Sequence, residues 1–118
     1  SGAIDAFEAA LAIDPAYAAI YVDLGHAARA QGLYGKAIHF YREALERSPD
    51  DYAALAGEGE ALAAKGALDG ARENLARVQE LCGAGCGEAQ ELAAAIARGP
   101  LPRVVTAEVT SENGVSVN

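Results

Sequence analysis

The residues of this chain best suited to chemistry are two cysteines and two histidines. Cys82 and Cys86 flank Gly83-Ala84-Gly85. Three states fit that spacing: a pair of small reduced thiols, a disulfide pinning a turn, or a redox or metal pair. The glycines give the backbone freedom to reach disulfide geometry. A metal site wants about four ligands, and no other ligand is evident nearby in the sequence. Redox catalysts favour a shorter Cys-x-x-Cys at a helix start, where the helix dipole lowers a thiol pKa. His26 and His39 are the only histidines. No Ser/His/Asp set has supporting spacing, and no glycine-rich phosphate loop follows a strand. The paired carboxylates Asp50-Asp51 are sufficiently explained as helix caps. The sequence therefore predicts no catalytic residue, no cofactor and no metal, and a protein that is not an enzyme.

Bulk properties narrow the partners. The chain carries a formal charge of −8 over 118 residues. Nucleic-acid binding needs a basic stripe, and none is present, nor is there a Lys/Arg cluster for anionic lipid. No apolar run approaches the roughly 20 residues of a membrane span, so no membrane insertion is expected, and no signal peptide is evident. Hydrophobic residues make up 52% of the chain but aromatics only 6%, with no Trp or Met. Much of the apolar content is alanine, which favours thin layers of closely packed helices over a thick core.

The elements that must position these residues are helical. Asp14-Pro15 reads as an N-cap and first helical residue. Helices are predicted over about 16–31, 35–47, 51–65, 68–82 and 88–99, with a further one over 2–13. Gly32, "SPDD", Gly66 and "CGAGCG" break them. Gly25 and Gly59 sit inside two of these helices, where glycine costs about 1 kcal/mol relative to alanine.

Those two glycines stand 34 residues apart, and so do their neighbours. Tyr21, Leu24, Gly25, Ala28, Tyr34, Ala37, Tyr41, Ala44, Leu45 and Pro49 form one unit. The next unit places Leu55, Glu58, Gly59, Leu62, Leu68, Ala71, Leu75, Val78, Gln79 and Gly83 in the same register. Glu58, Gln79 and Gly83 are its lapses. Stepping back 34 residues brings Ala3, Phe7, Ala10, Leu11 and Pro15 into line. Close approach of paired helices at Gly25/Ala37 and Gly59/Ala71 explains why the glycines are tolerated.

This pattern of an aromatic, Leu-Gly, a later Ala, an aromatic and a Pro resembles the tetratricopeptide repeat. The parts are Tyr21, Leu24-Gly25, Ala37, Tyr41 and Pro49; the bulky residue usual three positions after Leu-Gly is only Ala28. The resemblance covers about residues 3–98. It implies an all-α solenoid of helical hairpins, each with an A and a B helix, with about two and a half repeats and a C-terminal capping helix. On this reading residues 1–99 are the repeat domain and 100–118 an extended or flexible tail, in which "SENG" is a candidate hairpin turn and Val104, Val105 and Val109 are candidates to dock on a groove. The segment "LCGAGCGEAQELAAAIA" is also similar to the end of some small exported bacterial proteins of this family. That likeness inclines the expected location toward the periplasm over the cytoplasm.

The resemblance implies protein binding on a concave face lined by A helices. By register the lining is Ala19, Val22, Asp23, His26 and Arg29, then Ala53, Ala56, Gly57, Glu60 and Ala64. Such a surface suits a peptide or a helix of a partner. His26 falls on this side and His39 toward the convex side, so they do not share a metal. Some relatives clamp a terminal carboxylate with Lys, Asn and Arg on these helices. The matching positions here are Val22, His26, Gly57 and Ala53, which cannot do so. The alternative is self-assembly, as a homo-oligomer, through Ile4, Phe7 and Leu11 or through the tail.

Overall fold

A computed structural model describes residues 15–102 of the chain. They form five helices: α1 (Pro15–Ala30), α2 (Tyr34–Arg47), α3 (Tyr52–Lys65), α4 (Leu68–Cys82) and α5 (Gly87–Arg98). No strand occurs among the described residues. The expected helix at 2–13, its residues Ile4, Phe7 and Leu11, the Asp14 cap and the tail beyond Pro102 lie outside them.

Chain chemistry sets the breaks. Gly32 and Gly66 both take positive φ, 78° and 90°, a backbone region that side-chain-bearing residues disfavour. They stand 34 residues apart in the same role, each turning an A helix into its B helix. Between the hairpins Asp51 caps α3, its Oδ1 accepting from Ala53 N at 3.0 Å and Ala54 N at 3.2 Å. Its neighbour Asp50 takes Arg77 of α4 instead, 2.6 Å away.

α1 pairs with α2, and α3 with α4; α3 also touches α1, α2 and α5. α1, α3 and α5 thus stand side by side as one layer. The core is built mainly of alanine, as in Ala18, Ala37, Ala44, Ala54, Ala61 and Ala71, with few large side chains. Tyr41, Leu92 and Val78 are the largest that are fully buried.

The tolerated glycines have a more specific cause than close helix approach alone. A Cβ at Gly25 would stand 2.6 Å from Cε1 of Tyr41, and one at Gly57 would stand 2.5 Å from the same atom. The Tyr41 ring from α2 therefore fills space left open by α1 and α3 together. Gly59 holds the register of Gly25 but faces Leu92 of α5, with Cδ1 2.8 Å from where its Cβ would be. Leu75, the register partner of Tyr41, does not fill that space.

Glu58, a lapse in the repeat, is buried. The fold compensates it: Arg42 Nε donates to Glu58 Oε2 at 2.6 Å and Asn74 Nδ2 to Oε1 at 2.8 Å. Asn74 also donates to the carbonyl of Leu55 at 2.9 Å. Buried charge without partners is costly, so these two side chains are what make an acid acceptable in an apolar slot.

Candidate functional site

The residues expected to line one face divide into two groups. Ala19, Asp23 and His26 are exposed, and Ala53, Arg29 and Glu60 are partly so. Val22, Ala56, Gly57 and Ala64 are buried. Sequence register gives the direction of a helical position but not the depth of its neighbours. Gly57 faces the Tyr41 ring, and Val22 belongs to the core around it. Ala56 belongs to the core around Leu92. These residues shape the surface from beneath and offer it little contact area.

One member of the exposed group is tied to the core. His26 Nδ1 lies 2.6 Å from the Tyr41 hydroxyl. Burial lowers the His26 pKa, helped by the Arg29 charge, while Asp23 and Asp51 oppose the shift. Burial raises the phenol of Tyr41 to about 12, which Arg29 partly opposes. Both shifts favour neutral partners, and the imidazole tautomer sets the direction of the bond: with the proton on Nε2 the phenol donates to Nδ1, with it on Nδ1 the ring donates to the phenol oxygen. His39 is exposed and lies against the ring of Phe40.

At the C-terminal ends of the A helices the surface deepens. A cleft of about 160 Å³ is lined by Arg29, Tyr34, Glu60, Ala64, Ala95, Arg98, Gly99 and Leu101. Arg29 of α1 and Glu60 of α3 bridge it as an ion pair, with Nη1 3.4 Å from Oε1. Arg29 Nη1 is buried and has no hydrogen bond among the described residues. Burial raises the Glu60 pKa, and Arg29 opposes that shift. Register anticipated Arg29, Glu60 and Ala64 here. Tyr34, Gly99 and Leu101 were missed because they lie outside the A helices, and Ala95 and Arg98 because the expected lining stopped at α3, although α5 continues the same register.

The cysteines meet at the α4–α5 turn. Cys82 and Cys86 form a disulfide with a Cα–Cα distance of 6.0 Å. Their side chains pack on the cluster of Ala56, Val78, Ala89 and Leu92. Glu88, missed in the sequence, brings a carboxylate within 4.8 Å of both sulfurs. Three such groups could ligate a metal only with both thiols reduced.

A fold of stacked helical hairpins with one layer of A helices defines the class: a helical repeat solenoid. A family model described as tetratricopeptide repeat matches residues 1–51 and 22–85. The chain belongs to the tetratricopeptide-repeat family. No curated protein is matched by its sequence. Repeats of this family generally mediate protein–protein interaction and are typically non-catalytic. No helix among the described residues is long and apolar enough to cross a membrane.

Proposed function

We propose that this chain is a non-catalytic interaction module that takes a peptide or a helix of a partner protein on the face formed by α1, α3 and α5. The observation that carries the reading is the cleft between Arg29, Tyr34, Glu60 and Arg98. It continues the exposed positions Ala19, Asp23 and His26 of α1 along one face. The surface is held before any partner arrives: its glycine-backed Tyr41 fixes His26, and Arg29 ties α1 to α3. A preformed surface spares a partner the cost of ordering it. Mixed charge in the cleft favours a segment carrying both apolar and charged side chains.

The test is affinity capture from a lysate of the source organism, using the whole chain and a variant with Ala19→Glu and Arg98→Glu. Both positions are exposed, so the variant should fold. A protein held by the parent and lost by the variant supports the reading. Equal retention of the same protein by both sinks it.

A second reading has one observation of its own. Ile20 and Leu24 of α1 are 51% and 41% exposed. An apolar face at that end suits pairing between copies, the self-assembly alternative. A mass that rises with protein concentration, and stays monomeric in Ile20→Ser/Leu24→Ser, would favour it.

A further inference from the structure

We infer that reduction of the Cys82–Cys86 disulfide opens a metal site at the α4–α5 turn, where both thiolates and the Glu88 carboxylate hold one thiophilic divalent ion of the zinc class. The site stands apart from the interaction reading above and does not depend on it.

The first observation is convergence. Cys82 ends α4, Cys86 stands immediately before α5, and Glu88 lies in the first turn of α5. A ligand atom from each lies within 4.8 Å of the other two. The sequence offered two ligands where a metal wants about four; the fold supplies a third. Among the described residues Glu88 forms no ion pair. Its carboxylate is thus held beside two sulfurs with no cation to balance it.

The second observation is the setting. No side chain caps the start of α5 by a hydrogen bond. A helix start favours negative charge and stabilises a thiolate placed there. Two thiolates and a carboxylate carry three negative charges, and a divalent ion leaves only one. On one side the cysteines pack on Ala56, Val78, Ala89 and Leu92, an apolar floor that strengthens the attraction of ligand for ion. The other side is open. Nothing stands within 4 Å of where a Cβ would be at Gly83, Gly85 or Gly87. An ion can enter there, and water can take the fourth position, as in zinc sites with three protein ligands.

The chemistry balances with a dithiol as reductant. Its thiolate attacks one sulfur, the S–S bond breaks, and the reductant leaves as its cyclic disulfide, having supplied two electrons and two protons. The ion then displaces one proton from each thiol and forms two metal–sulfur bonds, and the carboxylate of Glu88 adds a third bond. Metal–sulfur bonds of about 2.3 Å at tetrahedral angles place the sulfurs about 3.8 Å apart. The loop between them holds Gly83 and Gly85, whose backbone freedom lets them part that far. Thiolate ligands select zinc over the hard cations magnesium and calcium. The same turn is therefore tied by a covalent bond when oxidised and by an ion when reduced.

Cobalt(II) titration of the full chain tests this, after reduction by a phosphine that is removed under nitrogen. The phosphine takes its oxygen from water, whose two protons go to the thiols. One cobalt per chain, a thiolate-to-cobalt charge-transfer band and the visible bands of a tetrahedral ion are expected, all bleached by zinc, which binds more tightly. The oxidised chain and Cys82→Ser/Cys86→Ser should show none of them. Glu88→Gln should weaken binding at least about tenfold, the lower end of what even outer-shell partners cost. Glu91→Gln, one turn further along α5 and exposed, should leave it unchanged. A reduced chain that keeps its helical circular dichroism but gives no charge-transfer band overturns the inference. So does a reduced chain that loses its helices and does not regain them with zinc. One cobalt per two chains overturns it as well, since the sulfurs would then come from two copies. Equal binding by Glu88→Gln and the parent, or equal weakening by Glu91→Gln and Glu88→Gln, removes Glu88 from the site and sinks the proposal.

Discussion

The hydroxyl of Tyr41 lies 2.6 Å from Nδ1 of His26, joining the most enclosed aromatic of the fold to an exposed position on its inner layer. The ring reaches that point because Gly25 and Gly57 have no side chains to block it. Core packing and surface chemistry are therefore set by the same residue.

This arrangement reverses the usual sign of a glycine substitution. Replacing a helix-interior glycine with alanine ordinarily gains about 1 kcal/mol. At Gly57 the new methyl would overlap the Tyr41 ring, and overpacking costs about 1–3 kcal/mol. Gly57→Ala should therefore lower the melting temperature. Gly35→Ala should raise it, because the nearest atom to its Cβ is Nζ of Lys65 at 3.9 Å. Thermal unfolding of the two variants beside the parent checks both signs. A stabilised Gly57→Ala would refute the account of Tyr41.

The buried acid gives a second contrast. Arg42→Ala leaves Glu58 with Asn74 as its remaining side-chain partner. The Arg42 side chain is 63% exposed, so solvent screens the pair, and the loss should be about 1–2 kcal/mol. Glu58→Leu restores the apolar residue of the repeat and removes the buried charge altogether. It should cost less than Arg42→Ala or be stabilising, since replacing a buried charge by a packed apolar group often is. Denaturant midpoints rank the two, and the opposite order would contradict the argument.

Stability should fall on the alkaline side. The Tyr41 phenol is raised from its ordinary value of 10 to about 12 in the fold. Between those values the folded chain holds a proton that the unfolded chain has lost. Raising the pH through that window therefore favours unfolding. Tyr41→Phe keeps the ring, loses a hydrogen bond worth about 1 kcal/mol, and should remove this part of the alkaline decline. Urea titrations at pH 9 to 12 would measure it; an identical decline in Tyr41→Phe would be decisive against it.

The acid side carries the opposite sign for His26. Its folded pKa lies below the ordinary 6.5, so the unfolded chain takes up a proton first as pH falls. Its contribution is present above 6.5 and is lost below it. Glu60 is raised above its ordinary value of 4.5. It works the other way, favouring the folded state as pH falls through that region. His26→Gln should flatten stability just below pH 6.5, leaving the Glu60 effect at lower pH. A parent already flat between pH 5 and 7 would show that the His26 shift has no weight.

The disulfide closes a short loop, with a sequence separation of 4 between Cys82 and Cys86. Chain-entropy arguments give about 2 kcal/mol for a loop of that size. Dithiothreitol, or Cys82→Ser/Cys86→Ser, should lower the melting temperature by several degrees. Iodoacetamide should leave the untreated chain unmodified. Rapid alkylation without reductant would instead revive the reading as a thiol or metal pair.

Much of the fold was legible in the sequence because helical hairpins are specified locally. The 34-residue register, the turn glycines Gly32 and Gly66 and the Asp51 cap act within a few residues of themselves. Helix period and backbone preference suffice to place α1 to α5 and to identify the repeat. What a slot holds in three dimensions depends on residues far along the chain, and there the register is silent. Gly25 and Gly59 are equivalent in sequence. One receives Tyr41 from its own hairpin, the other Leu92 from the next. Glu58 stands in register with Leu92, but a charged group is not buried without partners, and it turns to Arg42 and Asn74. Burial of Val22, Ala56 and Gly57 beneath the inner face follows from the same packing. The cleft is likewise a tertiary product. Register puts Arg29 and Glu60 on the inner face, but their partial burial, their ion pair and the approach of Arg98 are set by how α1, α3 and α5 pack, and the backbone bond from Leu101 to Ala64 closes its edge.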